Sequence, residues 1–282
     1  MSPADLTRIA ELVEAEVNYR LDAAVPEPTR RALGITTGRI GGGTTVSVRN
    51  DPTGGIFNKS LGLGVTESIT DKVISEVLDF HRAHGSPMAH IQIAPELLPS
   101  DWAETRAVHG LEPGGELVRF AAEVDDVKPA GTDLRVGLVG AQETDEWAAR
   151  LWEFFGVPDQ HLIEVFAAVA RTDGFQAFAA WDGDHMIGVA NLFLHGKSAH
   201  LNSGATRESH RRRGVQSALI AARAEYAAAA GCRWLVSEVG KPEVEGTNPS
   251  LNNMARAGFT RLYDRRSWIW RPASTRVTTS RS

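Results

Sequence analysis

The chain has 282 residues, enough for one large or two ordinary domains and for a buried core. Its 42% hydrophobic and 23% charged residues are those of a soluble globular protein. A formal charge of −5 and a pI near 6.0 argue against general nucleic-acid binding and mildly favour a neutral or cationic substrate. The single Cys232 excludes an intrachain disulfide and a cysteine-based metal site. No apolar run approaches the roughly 20 residues a membrane helix needs, and the N-terminus lacks the basic and apolar regions of a signal peptide, so a cytoplasmic protein is expected.

Residues 3 to 23 read as a helix. Leu6, Ile9, Ala10, Val13 and Val17 recur at helical spacing, and Ser2 with Asp5 supplies a start signal. Pro26 and Pro28 interrupt it. The β-branched, glycine-rich stretches 34–49 and 57–65 read as strands joined by loops. Asp71 to His84 is an amphipathic helix with Val73, Ile74, Val77, Leu78 and His81 on one side. Residues 88–94 read as a strand, 98–111 as a helix closed by Gly110, and 114–124 as a closing strand. Residues 127–133 have linker composition.

The second half repeats this order. Residues 143–155 and 158–170 read as helices. Residues 176–181 and 185–194 read as strands joined by a hairpin at Asp182-Gly183-Asp184. Residues 198–206 form the next strand, Val215 to Ala230 a helix stopped at Gly231, and Cys232 to Val239 an apolar central strand. A short helix from Asn248 to Ala257 and a strand through Trp268–Trp270 follow. The tail 272–282 has little to bury and is expected to be disordered.

The chemistry concentrates between His200 and Trp270. In the run His210 to Arg223, three arginines precede Gly214, and an alanine-rich helical stretch begins there. Strand, short loop, basic residues, glycine and helix start together make an anion site. Unpaired N–H groups point out of the helix start and the dipole adds about half a positive charge, which suits a pyrophosphate.

The run resembles the acetyl-CoA signature of the GNAT acetyltransferases, R/Q-x-x-G-x-G/A, through Arg211 and Gly214, with Gln216 in place of the last small residue. The order downstream, with a helix, Gly258-Phe259 and a final strand, is also that of the family, and the resemblance covers roughly residues 135 to 271. It implies an α/β fold (an α+β mixed sheet) of two tandem GNAT-like domains, each a central, mostly antiparallel sheet with flanking helices. Residues 135–271 would be the catalytic N-acetyltransferase domain. Residues 1–126 would be a degenerate copy, since residues 65–72 stand where the Arg-Gly loop would be.

On that resemblance the co-substrate is acetyl-CoA and no metal is expected. The pantetheine arm would lie along Gly204, Ala205 and Thr206, and the pyrophosphate on Arg211, Arg212, Arg213, Gly214, Val215, Gln216 and Ser217. Asn248 matches an asparagine that contacts the arm; Asn252 and Asn253 are rivals, and capping a helix is the alternative for Asn248. Gln216 either crowds the phosphates or points outward. Glu238 is the leading general base, with a strand-end carboxylate or an arginine partner as the plainer reading, and Asn202 and His200 project from the facing strand. The usual tyrosine donor is replaced by Met254, which leaves Ser250, Tyr263 or solvent.

The expected reaction is direct acetyl transfer in a ternary complex to a primary amine of a small molecule, with no nucleic-acid or membrane partner and with a homodimer allowed. A peptide or protein amine as acceptor, or a non-catalytic acyl-CoA-binding module, are the rival readings.

Overall fold

The computed structural model of the chain describes residues 2–244 and 246–273; residues 274–282 of the tail expected to be disordered lie outside the described residues. The first helix, α1 (Pro3–Ala23), starts at the Ser2 N-cap, with the Ser2 and Asp5 side chains each taking a backbone N–H of the other. The periodicity did not reveal α2 (Glu27–Leu33), a two-turn helix held by tertiary contacts: Leu33 is buried and Thr29 donates to Glu164 over 2.6 Å. The glycine-rich stretch folds as a hairpin, β1 (Ile35–Ile40) and β2 (Gly43–Val48), and then comes β3 (Lys59–Leu61). Helix α3 (Asp71–His84) has the predicted bounds, capped by Thr70 and stopped at left-handed Gly85. Strand β4 (Ala89–Gln92), α4 (Trp102–Val108) and β5 (Glu112–Glu123) complete the first half.

The second half opens with β6 (Arg135–Leu138), a four-residue strand too short to show in the sequence. Helices α5 (Thr144–Phe154) and α6 (Gln160–Val169) follow, then strands β7 (Phe175–Asp182), β8 (His185–His195) and β9 (Ser198–Thr206). Helix α7 (Val215–Ala229), β10 (Trp234–Gly240), α8 (Pro249–Arg256) and β11 (Thr260–Trp270) end the described chain.

The eleven strands among the described residues join one sheet, in the order β1-β2-β3-β4-β11-β5-β10-β9-β8-β7-β6. Two pairs are parallel, β3 with β4 and β9 with β10, and each is linked by a crossover helix, α3 or α7. The halves therefore repeat, as the sequence order implies. Their closing strands are exchanged. Strand β5 pairs with β10 of the second half, while β11 inserts between β5 and β4. The boundary expected between residues 126 and 135 divides the chain but not the sheet.

Strand alternation assigns the faces. On β2, Thr44 donates to the Ala15 carbonyl of α1, whereas Ser47 meets Ser86 beside α3. On β9, Ala199 and Leu201 join the core under α7, so His200 and Asn202 point to the α1 side. Helices α1, α2, α5 and α6 thus share one face, and α3, α4, α7 and α8 the other. The sheet curls around α1. Lys59 Nζ on β3 lies 4.0 Å from Glu238 Oε1 on β10, although β4, β11 and β5 intervene. Four strand spacings span roughly 19 Å in a flat sheet, beyond the joint reach of the two side chains.

Three side chains of chemical interest prove structural. Cys232 is a buried free thiol whose pKa burial pushes up. His81 is buried between Ser60, 3.1 Å from Nε2, and Ser86, 2.8 Å from Nδ1, and burial holds it neutral. Asn58, in a glycosylation sequon, is fully buried and exchanges hydrogen bonds with the Val48 backbone.

Asp22 is 3% exposed, set among Leu21, Leu33, Ile35, Phe57 and Val165, and burial raises its pKa to about 8 from 3.8. A folded pKa above the unfolded one gives a contribution that is full below about pH 4 and lost as pH rises towards 8. Asp22→Asn is therefore expected to match the intact chain in acid and to exceed it by at least about 1 kcal/mol at pH 9. Urea midpoints at the two pH values check this. The exchange of strands gives a second expectation. Residues 1–126 alone leave β4 and β5 without β11 between them and should show no cooperative thermal transition by circular dichroism. A sharp transition would mean that the half is self-sufficient.

Candidate active site

Strand β9 carries one residue more than β8 between the pairs Val189–Ala205 and Asn191–Asn202, a bulge at Ser203 and Gly204. Ser203 sits at φ 51°, a left-handed conformation that a non-glycine residue adopts at a cost of order 1 kcal/mol. On its other side β9 pairs with β10 only as far as Leu201–Ser237, where the Ser237 hydroxyl donates to the Leu201 carbonyl over 2.9 Å. Beyond that point the strands part. The backbone from Asn202 to Thr206 keeps an open edge towards β10.

A buried arginine on α7 holds this bulge. Arg223 on α7 is 4% exposed and has no carboxylate partner among the described residues. It donates to the carbonyls of Asn191 at 2.9 Å and Asn202 at 3.3 Å, and its burial lowers its pKa to about 9. An arginine set among alanines on the buried stripe of α7 was the available signal. Asn202 is tied locally: its Oδ1 accepts from Asn191 at 3.1 Å and from Ser203 at 3.0 Å, and its Nδ2 lies 3.3 Å from His200 Nδ1.

The open edge leads to the start of α7. Gly214 is the helix N-cap at φ 77°, and no side chain caps the helix. The first α7 hydrogen bond runs from the Ala218 N–H to the Gly214 carbonyl. The N–H groups from Arg212 to Ser217 therefore meet no acceptor among the described residues. Val215 anchors this end. A Cβ on Gly188 of β8 would lie 2.3 Å from Val215 Cγ1, so only glycine lets the helix start seat so close to the sheet.

A cleft of about 1020 Å³ opens here. It is lined by Gly204, Ala205 and Thr206, by Arg211, Arg212, Gly214, Val215, Gln216 and Ser217, and by Ser250 with its neighbours on α8. Phe154 and Phe155 of α5 close one side, and Phe155 is 48% exposed. Arg211 makes only a 3.6 Å surface pair with Glu208 and is free to swing in. The cleft's size, free amides and cations fit a nucleotide with a pyrophosphate and a long arm.

Not every expected residue lines it. Arg213 is tied to Asp182 at 2.6 Å, on the β7–β8 turn. Asn248 caps α8: its Oδ1 accepts from the Ser250 N–H at 2.9 Å and its Nδ2 donates to the Gly240 carbonyl at 2.8 Å. Gln216 does not crowd the phosphate position. It bridges to α8, accepting from Asn253 at 2.6 Å and donating to the Ser250 hydroxyl at 3.2 Å. Met254 is buried in the core under α7, away from any donor role.

Glu238 is the first residue past the last β9–β10 pair, and faces α1. It is not a lone carboxylate. Its Oε2 lies 2.8 Å from Arg265 Nη2 and 3.3 Å from Arg119 Nη1. Burial alone would raise its pKa, but Lys59, Arg265 and Arg119 together hold it well below the usual range, so alone it is a weak base. Beneath α1 the cluster continues. Arg265 Nη1 meets Glu11 at 2.9 and 3.0 Å, its Nη2 meets Glu14 Oε2 at 2.6 Å, and Arg119 Nη1 meets the same Glu14 oxygen at 2.9 Å. Tyr263 donates to Glu11 over 2.7 Å, and its pKa is pushed up, first by burial and then by Glu11. His200 is buried beside the cluster and held neutral, lowered to about 3 by burial first and then by Arg119. No group of three or more His, Cys, Asp or Glu placed to hold a metal ion occurs among the described residues.

In the first half the corresponding place is filled. Leu63, Ile69 and Trp102 pack where the loop would open, and Asp71 occupies the first turn of α3, 2.8 Å from His109 Nε2. A carboxylate at that helix start takes the position a phosphate would need.

Residues 141–259 match the model of the acetyltransferase (GNAT) family. No curated protein matches the chain. Among solved structures it is similar to a GCN5-related N-acetyltransferase from Kribbella flavida, at 13% identity and a TM-score of 0.58 over 89% of this chain and 95% of that one. A GCN5-related N-acetyltransferase from Sphaerobacter thermophilus aligns at 15% identity and 0.57, over 96% and 95%. A tandem GNAT protein from the clavulanic acid biosynthesis pathway aligns at 15% identity and 0.58, over 95% of each chain. At such identities the likeness is one of fold, and it runs through both halves.

Proposed function

We propose that this chain, whose residues 141–259 match the GNAT acetyltransferase family, moves the acetyl group of acetyl-CoA to a primary amine of a small molecule by direct transfer in a ternary complex. The observation that carries the reading is the cleft at the start of α7, where a free strand edge, six backbone N–H groups unpaired among the described residues, and Arg211 and Arg212 converge. The pantetheine arm takes the place of a strand along Gly204, Ala205 and Thr206. The pyrophosphate sits on the N–H groups of Arg212 to Ser217, with Arg211 and Arg212 reaching its oxygens. Val215, Gln216, Arg213 and Asn248 hold the loop and α8 in place.

The thioester then lies where β9 and β10 part, next to Glu238. The amine nitrogen attacks the carbonyl carbon; the C–N bond forms, the C–S bond breaks, and the sulfur leaves with the electron pair. The nitrogen's proton departs towards Glu238, and Asn202 lines the facing strand. Ser250 accepts from Gln216 and so keeps its own hydrogen for the leaving thiolate. A small acceptor is favoured over a peptide because α1 roofs this end of the slot. The Glu238 side chain is only 20% accessible and His200 3%, which leaves room for an amine on a slender chain.

Calorimetry with acetyl-CoA tests the cofactor site. The intact chain is expected to bind, and Arg211→Ala/Gly214→Glu to lose at least about 100-fold in affinity, because the glutamate puts a negative charge at the helix start. No binding to the intact chain would sink the transferase reading. Ser250→Ala should lower kcat about tenfold with little change in the KM for acetyl-CoA, read by release of free CoA with an amine panel.

A further inference from the structure

Two carboxylate oxygens, one from each half of the chain, lie on the same pair of nitrogens. Glu14 Oε2 of α1 is 2.6 Å from Arg265 Nη2 and 2.9 Å from Arg119 Nη1. Glu238 Oε2 of β10 is 2.8 and 3.3 Å from those same atoms. Oxygens so placed are neighbours, and like charges in contact resist double ionisation. Glu14 Oε2 is also buried with no donor hydrogen aligned on it, so the two guanidinium groups meet its charge by proximity and not by a directed hydrogen bond. Of the pair, Glu14 is 1% accessible and Glu238 20%, so a proton enters at Glu238 and is stored inwards.

We propose that Glu14 and Glu238 share a single proton site, and that this pair, completed by the N-terminal half, receives the proton of the acceptor amine. The inference rests on the transferase reading above. When the amine nitrogen bonds to the thioester carbon and the thiolate departs, the released proton passes to the doubly ionised pair and lies between the two Oε2 atoms. The acetylated amide and the free CoA thiol leave once that proton, or one from solvent, reaches the sulfur. Glu14 acts through Glu238 and is a positioning residue. The charged and titratable groups facing it are Glu11 on α1, Arg119 on β5, Arg265 and Tyr263 on β11, Glu238 on β10 and Lys59 on β3, with His200 on β9 beyond. Burial raises Glu14 to about 7 against the two arginines, with Glu238 and Glu11 adding to the rise. The value belongs to the pair and matches a base working near neutrality.

The expected pH profile follows. kcat/KM rises through the neutral range in the intact chain. In Glu14→Gln the rise flattens and the plateau drops about 100-fold, while acetyl-CoA affinity stays within about twofold. An unchanged rise in a Glu14→Gln protein that still binds acetyl-CoA overturns the proposal. Should that variant fail to bind, Glu14→Asp is measured instead: it keeps the charge and is expected to shift the rise, and an unshifted rise is again fatal. A readout without turnover separates this inference from the transferase reading. Infrared spectra of the intact chain should show a protonated glutamate band titrating near neutral pH, which moves to lower pH in Glu238→Gln. A band that stays put would make Glu14 a solitary buried acid and end the proposal, whether or not any amine is acetylated.

Discussion

Arg119 and Arg265 stand fully buried on the two exchanged strands, and the rest of the architecture is arranged to meet their charge. A guanidinium in a protein interior without a partner is strongly destabilising, whereas one with carboxylates on its open positions is tolerated. The carboxylates come from α1 and β10. Glu11 and Glu14 fall at i and i+3 on α1, one turn apart on the side that faces the sheet, so a single helix serves both arginines. This explains why the sheet curls around α1. It also explains why the central strands present a charged patch there instead of the apolar face that flanks it on either side.

The donor cleft depends on backbone shape more than on side-chain identity. A one-residue bulge in β9 frees an edge, Arg223 satisfies the carbonyls that the bulge strands, and Gly188 lets Val215 bring the helix start against the sheet. Gln216 departs from the small residue of the signature, yet its side chain leaves the phosphate position and ties α7 to α8. In the first half the same strand–helix–strand frame exists, with Leu63 and Asp71 in place of space and free amides. The two copies thus share a frame and differ in the contents of the loop.

What the sequence disclosed was local. The bounds of α3, the hairpin at Gly183, the strand 198–206 and the start of α7 all rest on caps, turns and periodicity within a few residues. Helix α2 and strand β6 escaped because both are short and owe their form to distant partners. The exchange of β5 and β11 could not be read, since each strand's pattern fits either neighbour. Glu238 drew attention as a carboxylate on an apolar strand, but its partners come from residues 59, 119 and 265, far away in the chain. The neglected signals were charges within apolar patterns: Glu11 and Glu14 beside Ala10 and Val13, Arg119 between Val118 and Phe120, and Arg223 among alanines. A charge in such a place has a partner, and searching for it would have led to the cluster.

The order of synthesis gives the strand exchange a further meaning. The first half leaves the ribosome with β4 finished, but the strand that must lie against it, β11, is made only after the rest of the second half. Until then β4 and β5 both present unpaired backbone edges, and α1 hangs its glutamates over a place where Arg265 has yet to arrive. The nascent chain therefore cannot close one copy and then the other, as beads on a string would. It waits, partly assembled, for β11, and both copies lock only when that strand arrives.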